Sequence, residues 1–340
     1  MHTPSDVEFR LDPKQPRALE AWLRPRGWLG ADEAITRLAS AGEGNMNLTL
    51  RVTTARRSFI VKQSRPYVEK YPHVAAPAER ALVEAAFYRT VSGQPRIREA
   101  MPELIGADAE ARVLLLEDLG AASDMLNVYR GVRVNAVERQ ALSGWLGALH
   151  AMPVPEPDPL LENRAMRALN HAHIFELPLR DHGLLDLDAL TSGLAAEADR
   201  LRADRAYTDA VAALGQRYLG TGPSLLHGDF YPGSWLRTAH GIRIIDPEFC
   251  FVGPPEFDVG VMIAHAILAG ESLEDAFAGV QDGYDAPSGF DGALAAGFAG
   301  VELMRRLIGL AQLPLSASVI QKAGWLAASR QLVHEWAASA

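Results

Sequence analysis

A two-lobed α+β architecture, with a small β-rich N-terminal lobe and a larger, mostly helical C-terminal lobe, is what this sequence predicts. Three observations predict it. Two short β-rich runs lie close together in the first third of the chain, long helical patterns dominate the rest, and 340 residues exceed one ordinary core but fall short of three.

The β-rich runs are Leu48 to Val52 and Ser58 to Lys62, separated by the polar stretch Thr53 to Arg57, which reads as a hairpin. Pro77 is suited to the first turn of a following helix, along which Leu82, Val83, Ala86, Phe87 and Val91 recur at helical spacing. Val113 to Leu116 is a third strand candidate, and it runs into Glu117, Asp118 and Gly120. A boundary there divides the chain into residues 1–119 and 120–340. Beyond it, Val137 to His150 and Leu190 to Leu219 read as helices, with the Pro-rich stretch from Pro153 to Pro159 as a loop between them.

Composition narrows the function. A formal net charge of −9 offers no basic field for nucleic acid, so a small polar substrate is expected instead, and a neutralising metal ion suits the same charge. Cys250 is the only cysteine, which excludes an intramolecular disulfide and agrees with a reducing compartment. Met1 to Asp12 lacks the apolar run of a secretory signal. The most membrane-like run, Val259 to Leu268, is about half of the roughly 20 residues needed to span a bilayer and contains His265. It reads as a buried helix of a cytoplasmic protein without a membrane partner.

The densest chemical signal is Leu225-Leu226-His227-Gly228-Asp229-Phe230-Tyr231-Pro232-Gly233-Ser234, followed by Ile242-Arg243-Ile244-Ile245-Asp246-Pro247-Glu248. Phosphoryl transfer from ATP requires an acidic group to orient the acceptor hydroxyl and oxygen ligands to hold Mg²⁺ on the phosphates. His227, Asp229 and Ser234 reproduce the H-x-D-x-x-x-x-N spacing that serves this purpose. The runs Trp235 to Arg237 and Ile242 to Ile245 form a hairpin that returns Asp246 toward Asp229. Two carboxylates brought that close repel one another unless a cation lies nearby, and Glu248 adds a further oxygen. For any one of these residues a turn brace or a helix cap is as good a reading; the ordered set is not so easily dismissed.

In the first third of the chain, Gly42-Glu43-Gly44-Asn45-Met46-Asn47 offers two glycines that let backbone N–H groups approach phosphate oxygens, although the third glycine of G-x-G-x-x-G is missing. Gly42, Gly44, Asn45 and Asn47 are therefore candidates for the nucleotide-covering loop. Lys62 ends the second strand of the hairpin, the context of a phosphate-binding lysine. Its partner is either Glu79 or Glu84: helical angle slightly favours Glu79.

These residues resemble those of the aminoglycoside phosphotransferase and choline kinase superfamily, and within it the 5-methylthioribose kinases. The likeness rests on His227-Gly228-Asp229 with Gly233-Ser234, on Asp246-Pro247-Glu248-Phe249 with Asp258, on Gly44-Asn45-Met46-Asn47, on Val61-Lys62-Gln63 and on Arg305-Arg306. It implies a protein-kinase-like bilobal fold with an N-terminal nucleotide-binding lobe, Asp229 as catalytic base, and Asp246 and Glu248 as Mg²⁺ ligands with Ser234 beside them. It further implies Glu84 as the partner of Lys62, and Glu117, Asp118 and Leu119 as the hinge against which adenine docks. His227 and Asp258 would be structural at the site, Asp258 bracing the catalytic loop, although a helix N-cap is an equal reading of Asp258. Arg305 and Arg306 would bind a sugar, against the alternative of a solvated ionic stripe with Glu302. The sequence departs from the 5-methylthioribose kinases in its shorter length and in Phe230-Tyr231-Pro232, where Leu-His-Thr is common. His171, His173 and His265 have no convincing metal spacing; the run Asn170 to Phe175 is a candidate lining of the substrate cleft, against packing or surface exposure for His171 and His173. An aminoglycoside or amino alcohol as acceptor, a pseudokinase, and a homodimer are left open.

Overall fold

The computed structural model describes residues 9–42, 46–154, 158–180, 183 and 185–339. They form two compact units, divided between Ala121 and Ala122.

The first unit begins with helix α1 (Pro16–Leu23) and is built on a five-stranded antiparallel sheet. Its strands are β1 (Ile35–Ser40), β2 (Leu48–Thr54), β3 (Ser58–Gln63), β4 (Leu104–Asp108) and β5 (Val113–Glu117), in the order β1-β2-β3-β5-β4. The two-residue period of a strand sorts the side chains. Leu50, Val52, Phe59, Val61, Val113 and Leu115 face a core shared with Leu19 and Leu23 of α1. Lys62 sits one residue out of phase with Val61 and therefore projects from the opposite face, directly across from Leu114 of β5. Leu114 packs against Ala81 and Ala85 of helix α2 (Arg80–Val91), so one face of the sheet carries both the lysine and the helix.

Pro77 does not open that helix. Arg80 is its first residue and Glu79 occupies the cap position, and the Pro77 carbonyl accepts a hydrogen bond from the buried Arg80 guanidinium at 2.7 Å.

The second unit is mainly helical. Helix α3 (Ala136–His150) opens on a capping box in which Asn135 and Glu138 satisfy each other's backbone N–H groups. Pro159 belongs not to a loop but to a one-turn helix, Pro159–Glu162, capped by Asp158; of the Pro-rich stretch before it, residues 155–157 lie outside the described residues. The helical expectation from Leu190 to Leu219 resolves into α4 (Leu194–Ala203) and α5 (Arg205–Leu219). The break is Asp204, whose extended backbone ends one helix and whose carboxylate caps the next by accepting from Tyr207 N at 3.1 Å.

Next come strand β6 (Ser224–Leu226) and the hairpin β7 (Trp235–Thr238) and β8 (Gly241–Ile244). Phe251–Gly253 pairs back onto β6, which fixes the loop after Leu226 between two ladders. Helices α6 (Glu256–Leu268), α7 (Gly292–Ile308) and α8 (Val319–Ser339) complete the unit. Both α6 and α7 are buried around most of their circumference, the signature of central helices. No described helix is long and apolar enough to cross a membrane.

The close approach of α6 to α7 depends on Gly260. A Cβ there would meet the Ala295 carbonyl oxygen at 2.7 Å and Phe298 Cβ at 2.7 Å. Gly260→Ala is expected to cost about 1–3 kcal/mol by overpacking and to lower the thermal midpoint by several degrees. Gly324→Ala, on α8 with open space around it, is the matched control and should be neutral or slightly stabilising in the same melting experiment.

Candidate functional site

In the second unit the site is assembled on the loop that leaves β6. Gly228 has φ +82°, and a Cβ at that position would meet the Phe249 carbonyl oxygen at 2.1 Å, so the turn admits only glycine. The turn is held from below by Asp258, in the first turn of α6. Its carboxylate accepts His227 N at 2.7 Å and Gly228 N at 2.9 Å, and His150 Nε2 donates to it at 3.3 Å. Asp258 is not an N-cap, since Pro255 holds that position; its side chain is turned inward and fully buried.

His227 links the two acidic segments. Its Nε2–H donates to the Ile245 carbonyl at 3.0 Å, and its Nδ1 accepts Asp229 N at 3.3 Å. That pattern fits only the neutral ring with its proton on Nε2, and burial, the largest influence, lowers the imidazole pKa and keeps it neutral. One buried ring therefore holds the backbone at Asp229 and at the residue before Asp246. Asp246 itself adopts φ +61°, uncommon for a residue with a side chain and typical of a conformation imposed by its surroundings. Asn163 steadies the chain just beyond Asp246, donating to the Glu248 and Cys250 carbonyls at 3.0 and 2.9 Å.

The three residues that depart from the common loop sequence have structural roles here. Phe230 stacks on Trp145 at 5.5 Å, Tyr231 lies beneath the Arg306 guanidinium at 4.7 Å, and the Pro232 carbonyl accepts Met125 N at 3.0 Å.

Asp229 is the loop's outward-facing acid, with its side chain 21% exposed. Burial raises its carboxyl above the ordinary range, and Arg306 and Arg305 oppose that rise. Arg306 Nη2 reaches Asp229 Oδ1 at 3.4 Å. The reading of Arg305 and Arg306 as a solvated stripe is thus overturned: they are 7% and 5% exposed and paired with the buried Glu302. Burial alone would raise the Glu302 carboxyl, but the two guanidiniums outweigh it and hold it well below the carboxylate range.

Asp246, Glu248 and Ser234 offer oxygen donors only, the chemistry a hard cation such as Mg²⁺ selects. Ser234 gives its hydroxyl proton to the Asp229 carbonyl at 3.0 Å, which leaves its oxygen lone pairs unspent. Among the described residues no three acidic, imidazole or thiol groups converge as a metal cluster. Two carboxylates with a hydroxyl still suit Mg²⁺, which keeps several waters and takes phosphate oxygens for the remainder. The residues present therefore fit this ion.

In the first unit, Lys62 Nζ meets Glu84 Oε2 at 2.6 Å, both side chains being almost wholly buried. Of the two glutamates this selects Glu84; Glu79 sits at the cap of α2. The two-residue period of β3 and the facing helix explain the choice. Gly42 has φ +78°, while Gly44 and Asn45 lie outside the described residues. Asn47 Oδ1 accepts Arg80 Nε at 2.8 Å, so the side chain anchors the loop's exit. Arg80, which sequence reasoning missed, also donates to the Met46 carbonyl at 2.6 Å and the Tyr67 carbonyl at 3.1 Å. An arginine on a helix carries no local signal that it will be fully buried among carbonyls. At the end of β5, Glu117 accepts Glu103 N at 3.1 Å, Asp118 accepts Gly120 N at 3.0 Å, and Leu119 is half-buried.

His265, on α6, is hydrogen-bonded through both ring nitrogens. It is buried, its Nε2–H donates to Glu302 at 3.2 Å, and its Nδ1 accepts the Tyr129 hydroxyl at 2.5 Å. His171 pairs with Glu176 at 3.3 Å, and His173 is half-buried.

Burial lowers the His265 pKa to about 4, against the Glu302 hydrogen bond that would raise it; Arg306 and Arg305 lower it further. The unfolded chain takes up this proton below about 6.5, whereas the fold refuses it until about 4. Stability is therefore expected to fall by up to about 3 kcal/mol as the pH drops through that window. His227 shifts in the same direction and adds to the loss. Urea midpoints from pH 7 to pH 4.5 check this: His265→Gln should show a shallower decline than the wild-type protein, and parallel declines would contradict the assignment.

Comparison with known proteins agrees with this geometry. Residues 37–292 match the profile of the phosphotransferase enzyme family. Methylthioribose kinase from Exiguobacterium sibiricum is 29% identical, with 85% of this chain and 83% of that protein covered. Methylthioribose kinase from Bacillus cereus is 26% identical at the same coverage, 85% and 83%. Among solved structures, the choline kinase LicA from Streptococcus pneumoniae covers 96% of this chain and all of its own, with 12% identity and a TM-score of 0.51. The spectinomycin phosphotransferase APH(9)-Ia, in complex with ADP and spectinomycin, covers 95% of this chain and 98% of its own, at 13% identity and a TM-score of 0.52. These two show that the fold is that of the protein-kinase-like phosphotransferases.

Proposed function

We propose that this chain, which belongs to the phosphotransferase enzyme family, transfers the terminal phosphoryl group of ATP to a hydroxyl of 5-methylthioribose or a closely related sugar. The observation that carries the chemistry is the His227 ring, which ties the backbone of Asp229 to the residue before Asp246. A base and a metal-binding acid held in fixed relation are what an in-line transfer requires, since catalysis here is positioning and charge stabilisation. Asp229 orients the acceptor hydroxyl and accepts its proton as the oxygen–phosphorus bond forms and the bond to ADP breaks. Asp246 and Glu248, with Ser234, hold Mg²⁺, which when bound neutralises charge on the phosphate oxygens. Lys62, fixed by Glu84, pairs with phosphate oxygens of the nucleotide; Gly42, Gly44, Asn45 and Asn47 shape the loop over it; and Glu117, Asp118 and Leu119 receive the adenine.

Two observations support the sugar. The relatives named methylthioribose kinase align over 85% of the chain, and the guanidinium forks of Arg305 and Arg306, the latter on Asp229, suit an oxygen-rich acceptor.

Purified protein incubated with Mg²⁺-ATP and a panel of 5-methylthioribose, ribose, other pentoses, an aminoglycoside, choline and homoserine is expected to release ADP with 5-methylthioribose. Chelating the Mg²⁺ should abolish the signal, and Asp229→Ala should reduce it by at least about a hundredfold. Turnover confined to another member would keep the kinase and discard the sugar. ATP binding without turnover on any member would instead favour a pseudokinase.

A further inference from the structure

Arg51 stands on β2 two residues after Thr49, which lies directly across from Lys62 of β3. By the two-residue period of a strand it projects from the sheet face that carries the lysine. Its neighbours across the strands are Ile60 of β3 and then Leu116 of β5, so the row leads from Arg51 over two apolar residues to the end of β5. The guanidinium spans that distance. Its Nε lies 2.9 Å from Asp118 Oδ2, and its Nη2 donates to the Gly120 carbonyl at 3.0 Å. The Nε contact is an ion pair rather than an aligned hydrogen bond, since that N–H has no hydrogen-bond partner among the described residues.

The Asp118 carboxylate is thereby spent. Its side chain is 3% exposed, Oδ1 accepts Gly120 N at 3.0 Å, and Oδ2 faces Arg51, so both oxygens are occupied from within the protein. A carboxylate buried to that degree needs its cation. One guanidinium therefore holds the residues on either side of Leu119. Leu119 itself is half-buried, and neither its N–H nor its carbonyl makes a hydrogen bond among the described residues. A segment pinned on both sides of an unspent backbone donor and acceptor suits a planar ligand that presents an acceptor and a donor along one edge, as a purine base does.

We infer that Arg51 is a positioning residue for the nucleotide base: it clamps Asp118 and Gly120 so that adenine meets the backbone of Leu119 and not the carboxylate of Asp118. The inference rests on the function proposed above and deepens it, because it separates a hinge residue whose side chain is spent from one whose backbone is not. A cation on the Lys62 face has a competing use as a direct ligand of phosphate. The two contacts of Arg51 turn it instead toward the hinge, and the two uses predict different results.

The test is calorimetric titration of the full chain, with Mg²⁺ present, by ADP, which carries the base, and by inorganic tripolyphosphate, which does not. Arg51→Met removes both contacts, and Arg51→Lys keeps the charge but loses the fork that reaches carboxylate and carbonyl together. Arg51→Met should weaken ADP about tenfold or more and leave tripolyphosphate within about twofold, with Arg51→Lys between it and the wild-type protein. In steady state the KM for ATP should rise with the ADP constant, while kcat at saturating ATP and the acceptor KM stay within about threefold. The salt dependence of the ADP constant is a second reading: a lost clamp leaves its slope unchanged, and a lost phosphate contact makes it shallower. The Arg51 side chain is 42% exposed, and Arg51→Lys carries the same comparison should Arg51→Met not fold. An equal loss for both ligands, a shallower salt slope, or an ADP constant equal to that of the wild-type protein would overturn the clamp and leave the kinase standing. A wild-type protein that binds no ADP would remove the proposed function and this inference with it.

Discussion

The second unit is organised around one buried carboxylate. Asp258 has no exposure, and an ionised acid in that position persists only if donors surround it. It finds them in two consecutive backbone N–H groups, those of His227 and Gly228, and in His150. Because the charge cannot be left unpaired, the loop cannot relax away from it, and Gly228 supplies the one backbone conformation that brings both N–H groups to bear. The direction of the neighbouring Asp229 is set by that constraint. So is the place of His227, whose ring then reaches the Ile245 carbonyl and holds the segment carrying Asp246.

The first unit obeys the same principle with a cation. Arg80, wholly buried, is satisfied by carbonyls and an amide oxygen drawn from separate segments, so it ties the exit of the glycine-containing loop to the start of the helix that carries Glu84. The Lys62–Glu84 pair then sits on a face already fixed by the packing of Leu114 against Ala81 and Ala85. In both units, buried charges do less to add stability than to make one arrangement of the backbone the only satisfied one.

Local patterns are legible in the sequence and tertiary pairings are not. The hairpins, the buried helix over Val259 to Leu268 and the ordered run from His227 to Glu248 can be read directly, because each depends on neighbours in sequence: a two-residue period, an apolar circumference, a fixed spacing of acids. Asp204 reads as continuous helix despite its capping carboxylate, since the apolar pattern continues on both sides. Pro77 reads as a helix start because its propensity is local, whereas the hydrogen bonds that bury Arg80 at the actual helix start reach the distant Met46 and Tyr67 carbonyls. The chain of Tyr129, His265, Glu302 and Arg306 joins residues 129 to 306 and leaves no trace in the sequence beyond the polar stripe of Glu302, Arg305 and Arg306, so nothing there gives His265 its partners.

The most direct test of the buried pin is a single-turnover measurement of phosphoryl transfer in Asp258→Asn, alongside nucleotide binding. An asparagine keeps the shape but has one acceptor oxygen for two backbone N–H groups, so the loop must lose one of them. The account predicts that the transfer rate falls about tenfold or more while the dissociation constant for ATP stays within about twofold. A transfer rate equal to that of the wild-type protein would contradict it.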